Sequence, residues 1–278
     1  MTQITASQVN SLRKQTGAGM MDCKKALMET KGDFDKAIDV LRKKGQKVAA
    51  KRADRSATEG AVLAIVKNDC KSGALLALNC ETDFVAKNDS FIELTQSFLN
   101  LALDKGVNDL ESIQALSFPD SDMLVKEKLI EQTGVIGEKL ELSNYHHINA
   151  EYVVGYIHPG NKLASLVGFN MAMQGIEEVG KNIAMQIAAM NPIGITESDI
   201  NQDIIDKEIE IGKDLARQEG KPEDMLERIS MGRLKKFFKE NTLMNQVYIK
   251  DSKKTVAQYL KDYDKDLSIV EFKRVSLI

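Results

Sequence analysis

Gly73-Ala-Leu-Leu-Ala-Leu-Asn-Cys80 runs directly into Glu81-Thr-Asp-Phe-Val-Ala-Lys-Asn-Asp-Ser90, and that into Phe91-Ile-Glu-Leu-Thr-Gln-Ser-Phe-Leu-Asn-Leu-Ala-Leu103. The first piece is a continuous apolar run of strand length, and the last carries apolar residues at helical spacing. Ser90 with Glu93 three residues later makes a capping-box signature, so a helix is expected to start there. Asp83 and Phe84 therefore fall at a strand-to-helix junction, where side chains project from a rigid support. Local sequence leaves two readings of them open. In one, Asp83 caps a helical turn and Phe84 is an ordinary core aromatic, which residue preferences favour. In the other, a large aromatic beside a carboxylate enters a partner.

Outward from this stretch, residues 61–66 and 73–80 read as a hairpin around a polar turn at 68–72, followed by the helix at 91–103. The same order recurs about 90 residues on: strands at 152–157 and 163–169 flank His158-Pro-Gly-Asn161, and a helix follows at 176–189. The repeat predicts an α+β fold with two related antiparallel-sheet-plus-helix subdomains. A strand at 139–148 is expected to lead into the second hairpin. Between the repeats, Ser117-Phe-Pro-Asp120 breaks the chain, and a helix at 123–132 is expected to end near Gly134.

Before the repeats, residues 1–45 read as three short helices. The first carries Ile4, Val9 and Leu12 and ends at Thr16-Gly17; the second carries Cys23, Ala26 and Leu27. The third starts at an Asp33 cap, aligns Phe34, Ala37, Ile38 and Leu41, and is expected to stop at Gly45. Residues 46–55 are basic and helix-permissive, and 56–60 read as a linker. After the second repeat, 199–218 and 225–238 carry helical apolar stripes joined by Glu219-Gly-Lys-Pro222, an inserted antiparallel helical hairpin at about 197–240. A strand, a helix and a final strand close the chain. The predicted divisions are 1–55, 56–138 and 139–278.

At 278 residues, with 43% hydrophobic and 28% charged residues, the composition is that of a globular protein of two or more domains. No secretory signal or membrane helix is expected, and three cysteines without CxxC spacing argue for a reducing, cytoplasmic setting. The net charge of −3 hides an asymmetry: residues 1–55 carry 13 Lys/Arg against 6 Asp/Glu, while the remainder is net −10. A basic module on an acidic body suggests an acidic partner, or else a solvated helix face. Phosphate-cradling loops, zinc spacings and nucleophile-elbow motifs are not found, so no catalytic residue, metal site or cofactor is predicted. The basic helices lack interleaved aromatics, so no direct nucleic-acid binding and no membrane contact are expected.

Thr16-Gly-Ala-Gly-Met-Met-Asp-Cys-Lys-Lys-Ala-Leu27 and Thr82-Asp-Phe-Val-Ala-Lys-Asn88 resemble the two signatures of the bacterial elongation factor Ts family, in order and at the family's distance. The similarity spans essentially the whole chain. It implies a UBA-like three-helix module and a guanine-nucleotide exchange factor, without bond-making chemistry, for the GTPase elongation factor Tu. It implies that Thr82, Asp83, Phe84 and Val85 displace the partner's Mg²⁺, with Asp83 and Phe84 entering beside the nucleotide. Met20, Met21 and Lys24 match the family's contact with the GTPase domain, and Ile136, Gly137, His158 and Ile249 match further contacts. The helical hairpin is a candidate for homodimerisation. Some members carry an additional C-terminal helix, which this sequence, stopping at Ile278, is read as lacking.

Overall fold

The computed structural model describes residues 4–119 and 123–278. Residues 1–3 of the predicted N-terminal module and Asp120 of the predicted break lie outside the described residues. Thr5 and Gln8 open the first helix by capping one another: the Gln8 N–H donates to Thr5 Oγ1 at 3.2 Å and the Thr5 N–H to Gln8 Oε1 at 2.9 Å. This helix, α1 (Ala6–Thr16), stops at Gly17, whose φ of +69° suits a residue without a Cβ. α2 (Met20–Glu29) follows, and Asp33 caps α3 (Phe34–Arg52) by accepting from the Lys36 N–H at 3.1 Å. Leu12, Cys23, Leu27 and Ala37 close a small core between the three helices.

The expected stop at Gly45 does not occur. α3 runs through it to Arg52. Next come β1 (Glu59–Val66), β2 (Ser72–Cys80), the single turn α4 (Asp83–Ala86), α5 (Asp89–Lys105), α6 (Leu110–Gln114), α7 (Val125–Ile136) and β3 (Glu141–Asn149). α7 likewise runs through Gly134 and is closed by Gly137 at φ +82°. Both glycines lie inside helices because α3 and α7 pack on each other there. The capping box expected at Ser90 and Glu93 does not form either. Asn88, two residues after α4, reaches the free N–H groups of α5 first: its Oδ1 accepts from the Ser90 N–H at 3.0 Å and from Ser90 Oγ at 2.9 Å.

β1, β2 and β3 form one antiparallel sheet in that order. The strand expected to lead into the second hairpin is thus the third strand of the first sheet, pairing with β2 from Ser72↔Asn149 to Asn79↔Glu141. β4 (Tyr152–Ile157), β5 (Leu163–Phe169), α8 (Ile176–Met190), α9 (Gln202–Gln218), α10 (Glu223–Asn241), β6 (Val247–Tyr248), β7 (Asp251–Thr255), α11 (Val256–Tyr263) and β8 (Ile269–Ser276) complete the chain. β4, β5 and β8 make a second antiparallel sheet. The fold is α+β, of helices and small antiparallel sheets.

Every residue of β2 is buried, because its alternate side chains meet different layers. Leu76, Leu78 and Cys80 pack with Phe98 and Leu99 of α5. Leu75 and Ala77 pack instead with Val153, Ala164 and Leu166 of the second sheet. β5 repeats the arrangement, sending Val167 and Phe169 toward Ile183 and Ile187 of α8. Helix, sheet, sheet and helix therefore stack in order, and a strand covered on both faces must read as the unbroken apolar run seen at 73–80. At Gly73 the two sheets come so close that a Cβ would lie 2.9 Å from Val153 Cγ1. α9 and α10 pack against each other, with Gly212 on Ser230 and Arg233 paired to Glu219 at 2.7 Å.

Candidate functional site

α4 sits where β2 leaves the sheet. Thr82 caps it, and the turn of helix divides its own side chains. Ala86 is buried and Val85 packs on the core under α5, while Phe84 points outward and is 84% exposed. A phenylalanine in water forgoes about 1.5–3 kcal/mol of burial, so this placement costs the free protein something that a partner could recover. Asp83 is paired with Lys87 at 2.6 Å. That hydrogen bond holds the Asp83 carboxyl below its ordinary value of 3.8, and Lys162 of the β4–β5 turn adds in the same direction.

Two glutamates pin the turn ahead of α4. Glu138 Oε2 accepts from the N–H groups of Glu81 at 3.1 Å and Thr82 at 3.0 Å, and its Oε1 accepts from the Thr82 hydroxyl at 2.7 Å. In return, Glu81 Oε1 accepts from the Lys139 N–H at 2.7 Å. The Glu81 side chain, 11% exposed, also takes Arg52 at 2.6 Å and Arg55 at 3.2 Å from the end of α3 and just beyond it. Burial pushes the Glu81 carboxyl up. The Lys139 N–H and the two guanidiniums outweigh it, and the net direction is downward from the ordinary 4.5. The sequence reading gives none of Glu81, Glu138, Arg52 and Arg55 a role in the site. Glu81 and Glu138 are 57 residues apart in the chain, so no local pattern could announce them.

The other expected site residues lie on several elements. Ile136 packs on the first core and Gly137 closes α7, directly before Glu138. Gly17, in the link from α1 to α2, lies against Val135 of α7, and beyond it Met20, Met21 and Lys24 are exposed on the first turns of α2. His158 is exposed in the β4–β5 turn, its Nδ1 3.0 Å from Tyr156 Oη. That turn is tied to β1 by the Val62 N–H donating to the Asn161 carbonyl at 2.6 Å and by Lys162 paired with Glu59 at 2.6 Å. Ile249 is exposed elsewhere, its N–H donating to Gln186 Oε1 of α8 at 2.8 Å.

One arrangement outside this region has the residue types of a nucleophile chain. Ser72 Oγ lies 2.7 Å from His147 Nε2, and His147 Nδ1 lies 3.3 Å from Asn108 Oδ1. Ser72 is 8% exposed at the start of a fully buried strand, and desolvation lowers the His147 pKa from its ordinary value. The contacts satisfy buried polar groups and leave little room for a substrate at the serine. Among the described residues no group of three or more His, Cys, Asp and Glu is placed to hold a metal ion. No helix among them is long and apolar enough to cross a membrane. The region around Phe84 carries an exposed aromatic at its tip.

Residues 81–277 match the family model described as Elongation factor TS. The chain is 54% identical over 277 residues to the elongation factor Ts of Christiangramia forsetii, covering all of both chains. It is 53% identical over the same length to that of Flavobacterium psychrophilum. To that of Porphyromonas gingivalis it is 48% identical over 274 residues, 99% of this chain and 98% of the relative.

Proposed function

This chain belongs to the elongation factor Ts family, and we propose that it is a cytoplasmic guanine-nucleotide exchange factor that binds elongation factor Tu·GDP and promotes release of the GDP, so that GTP can rebind. Such a factor makes and breaks no bonds. It binds the nucleotide-free partner more tightly than the nucleotide-bound one, and by linkage weakens the nucleotide by the same factor. A GTPase holds GDP largely through Mg²⁺ and backbone groups around the phosphates. Thr82, Asp83, Phe84 and Val85 form the wedge that disturbs that metal. Phe84 supplies the apolar insertion, and Asp83 hydrogen-bonds displaced backbone or repels the acidic metal ligands.

The observation that carries this reading is Phe84, 84% exposed on a turn whose backbone is hydrogen-bonded to Glu138. Met20, Met21 and Lys24 of the UBA-like module anchor the partner's GTPase domain, and Ile136, Gly137, His158 and Ile249 extend the contact. Phe84→Ala and Asp83→Ala are each expected to slow catalysed GDP release with the fold intact. Stopped-flow release of a fluorescent GDP analogue measures this, and parental acceleration in both variants overturns the wedge.

A second reading concerns self-association through α9 and α10. Ile204, Ile211 and Leu215 are each about 40% exposed at spacings that share one helix face. Sedimentation velocity of the parent against Ile211→Glu tests it, and a monomeric parent ends it.

A further inference from the structure

Phe84 cannot hold its own position. With 84% of its surface in water it has almost no packing to fix it, so its place is set by the turn it rides on. That turn lies beyond the end of a ladder: the last β2–β3 pair is Asn79↔Glu141, and past it no strand partner receives the N–H groups of Glu81 and Thr82. Glu138 receives both of them on one oxygen and the Thr82 hydroxyl on the other. The remaining polar groups of Thr82 are also engaged. Its carbonyl accepts from the Ala86 N–H at 3.2 Å and from Cys80 Sγ at 3.2 Å. Its hydroxyl oxygen accepts from the Val85 N–H at 3.5 Å.

We propose that Glu138 is the positioning residue of the exchange site, aiming Asp83 and Phe84 by clamping the Glu81–Thr82 turn to the end of α7. The inference rests on the proposed function, in which that pair enters the partner. A carboxylate suits the task because its two oxygens have lone pairs enough for three converging donors, and charge-assisted bonds to backbone N–H groups are stronger than neutral ones. The clamp is reciprocal. Glu81 reaches back to the Lys139 N–H and draws in Arg52 and Arg55, so the same turn is also tied to the end of α3. Glu138 holds the Thr82 hydroxyl and backbone N–H directly, and acts on Asp83 and Phe84 through that turn.

The test uses the full chain, elongation factor Tu carrying a fluorescent GDP analogue, and the variants Glu138→Ala, Glu138→Asp and Glu138→Gln. Loss of the clamp is expected to lower the maximal exchange rate about tenfold while the half-saturating concentration changes less than about twofold, as misplacement of a pre-aimed group does. Glu138→Gln keeps an acceptor for the two N–H groups and a donor for the Thr82 hydroxyl, so it is expected to stay within about threefold of the parent. Glu138→Asp withdraws both oxygens by one methylene, should fall between, and carries the comparison with Gln if Glu138→Ala does not fold. Added to the double variant Asp83→Ala/Phe84→Ala, Glu138→Ala should slow exchange no further, since a residue acting only through that pair has nothing left to aim. In the free protein, amide hydrogen exchange at 81–85 should rise in Glu138→Ala and not in Glu138→Gln.

A parental rate in Glu138→Ala overturns the proposal, as do equal losses in Ala and Gln, or full additivity with the Asp83→Ala/Phe84→Ala pair. If Phe84→Ala slows exchange and Glu138→Ala does not, only the positioning role fails. If Phe84→Ala and Asp83→Ala both exchange at the parental rate, the wedge reading fails and this inference with it.

Discussion

Gly45 of α3 and Gly134 of α7 meet backbone to backbone: a Cβ on Gly134 would lie closer than 3.0 Å to the Cα of Gly45. This crossing joins the three N-terminal helices to the helix that ends beside Glu138. The contact is not symmetric. A Cβ on Gly45 would first meet the Ile130 carbonyl at 3.4 Å, an ordinary approach. Gly134→Ala is therefore expected to destabilise the chain by about 1–3 kcal/mol through overpacking, less whatever helix propensity returns. Gly45→Ala should stay within about 1 kcal/mol of the parent. Urea unfolding followed by circular dichroism compares the two, and equal losses would contradict the asymmetry.

Phe84 and Phe98 separate exposure from burial within one stretch of sequence. Phe98 is fully buried under the first sheet, and truncating it to alanine should cost about 3–5 kcal/mol. Phe84→Ala should move stability by no more than about 0.5 kcal/mol, because almost nothing packs on that ring in the free protein. The same unfolding measurement reads both. A large loss in Phe84→Ala would mean that its effect on exchange cannot be assigned to the partner.

The pH dependence follows from the sign of the Glu81 shift. Its carboxyl lies below the ordinary 4.5 in the folded chain, so its contribution to stability is fully present above that value and is lost as pH falls toward the lowered one. Glu81→Gln cannot titrate. The stability difference between parent and Glu81→Gln should therefore be constant above about pH 5 and shrink as the pH drops through the carboxylate range. Thermal melting across a pH series checks it, and a difference that grows on acidification would refute the assignment.

The cysteines should differ in reactivity. Burial, with Glu138 nearby, pushes the Cys80 thiol up to about 12, and its side chain has no surface exposed. Cys23 is buried as well, while Cys70 is half-buried in the β1–β2 turn. The thiolate is the reacting species, so iodoacetamide at mildly alkaline pH should label Cys70 and spare Cys80 in the folded chain. Peptide mass spectrometry reads the sites, and labelling of Cys80 at the rate of Cys70 would count against the buried turn.

Much of this molecule is local and therefore legible. Asp33 caps a helix and Gly17 ends one because the groups they satisfy are one turn away, and the apolar runs that build β4 and β5 lie within each strand. The two signatures named the family before any coordinate was needed. Other features depend on what arrives from elsewhere in the chain. Glycine at 45 and 134 predicts a helix stop, since its backbone freedom disfavours helices, yet both residues stand mid-helix because two backbones must approach there. The strand at 139–148 precedes the second hairpin in the chain, but its hydrogen-bond ladder is with β2. Residues 81–90 by themselves favoured a capping aspartate and a core phenylalanine. Folding gave the cap to Thr82 and left Phe84 in water, because Val85 and Ala86 fill the space beneath the turn and Glu138 holds it from 56 residues away. Sequence determined which residues form strands and helices; the long-range packing alone decided which aromatic stayed outside.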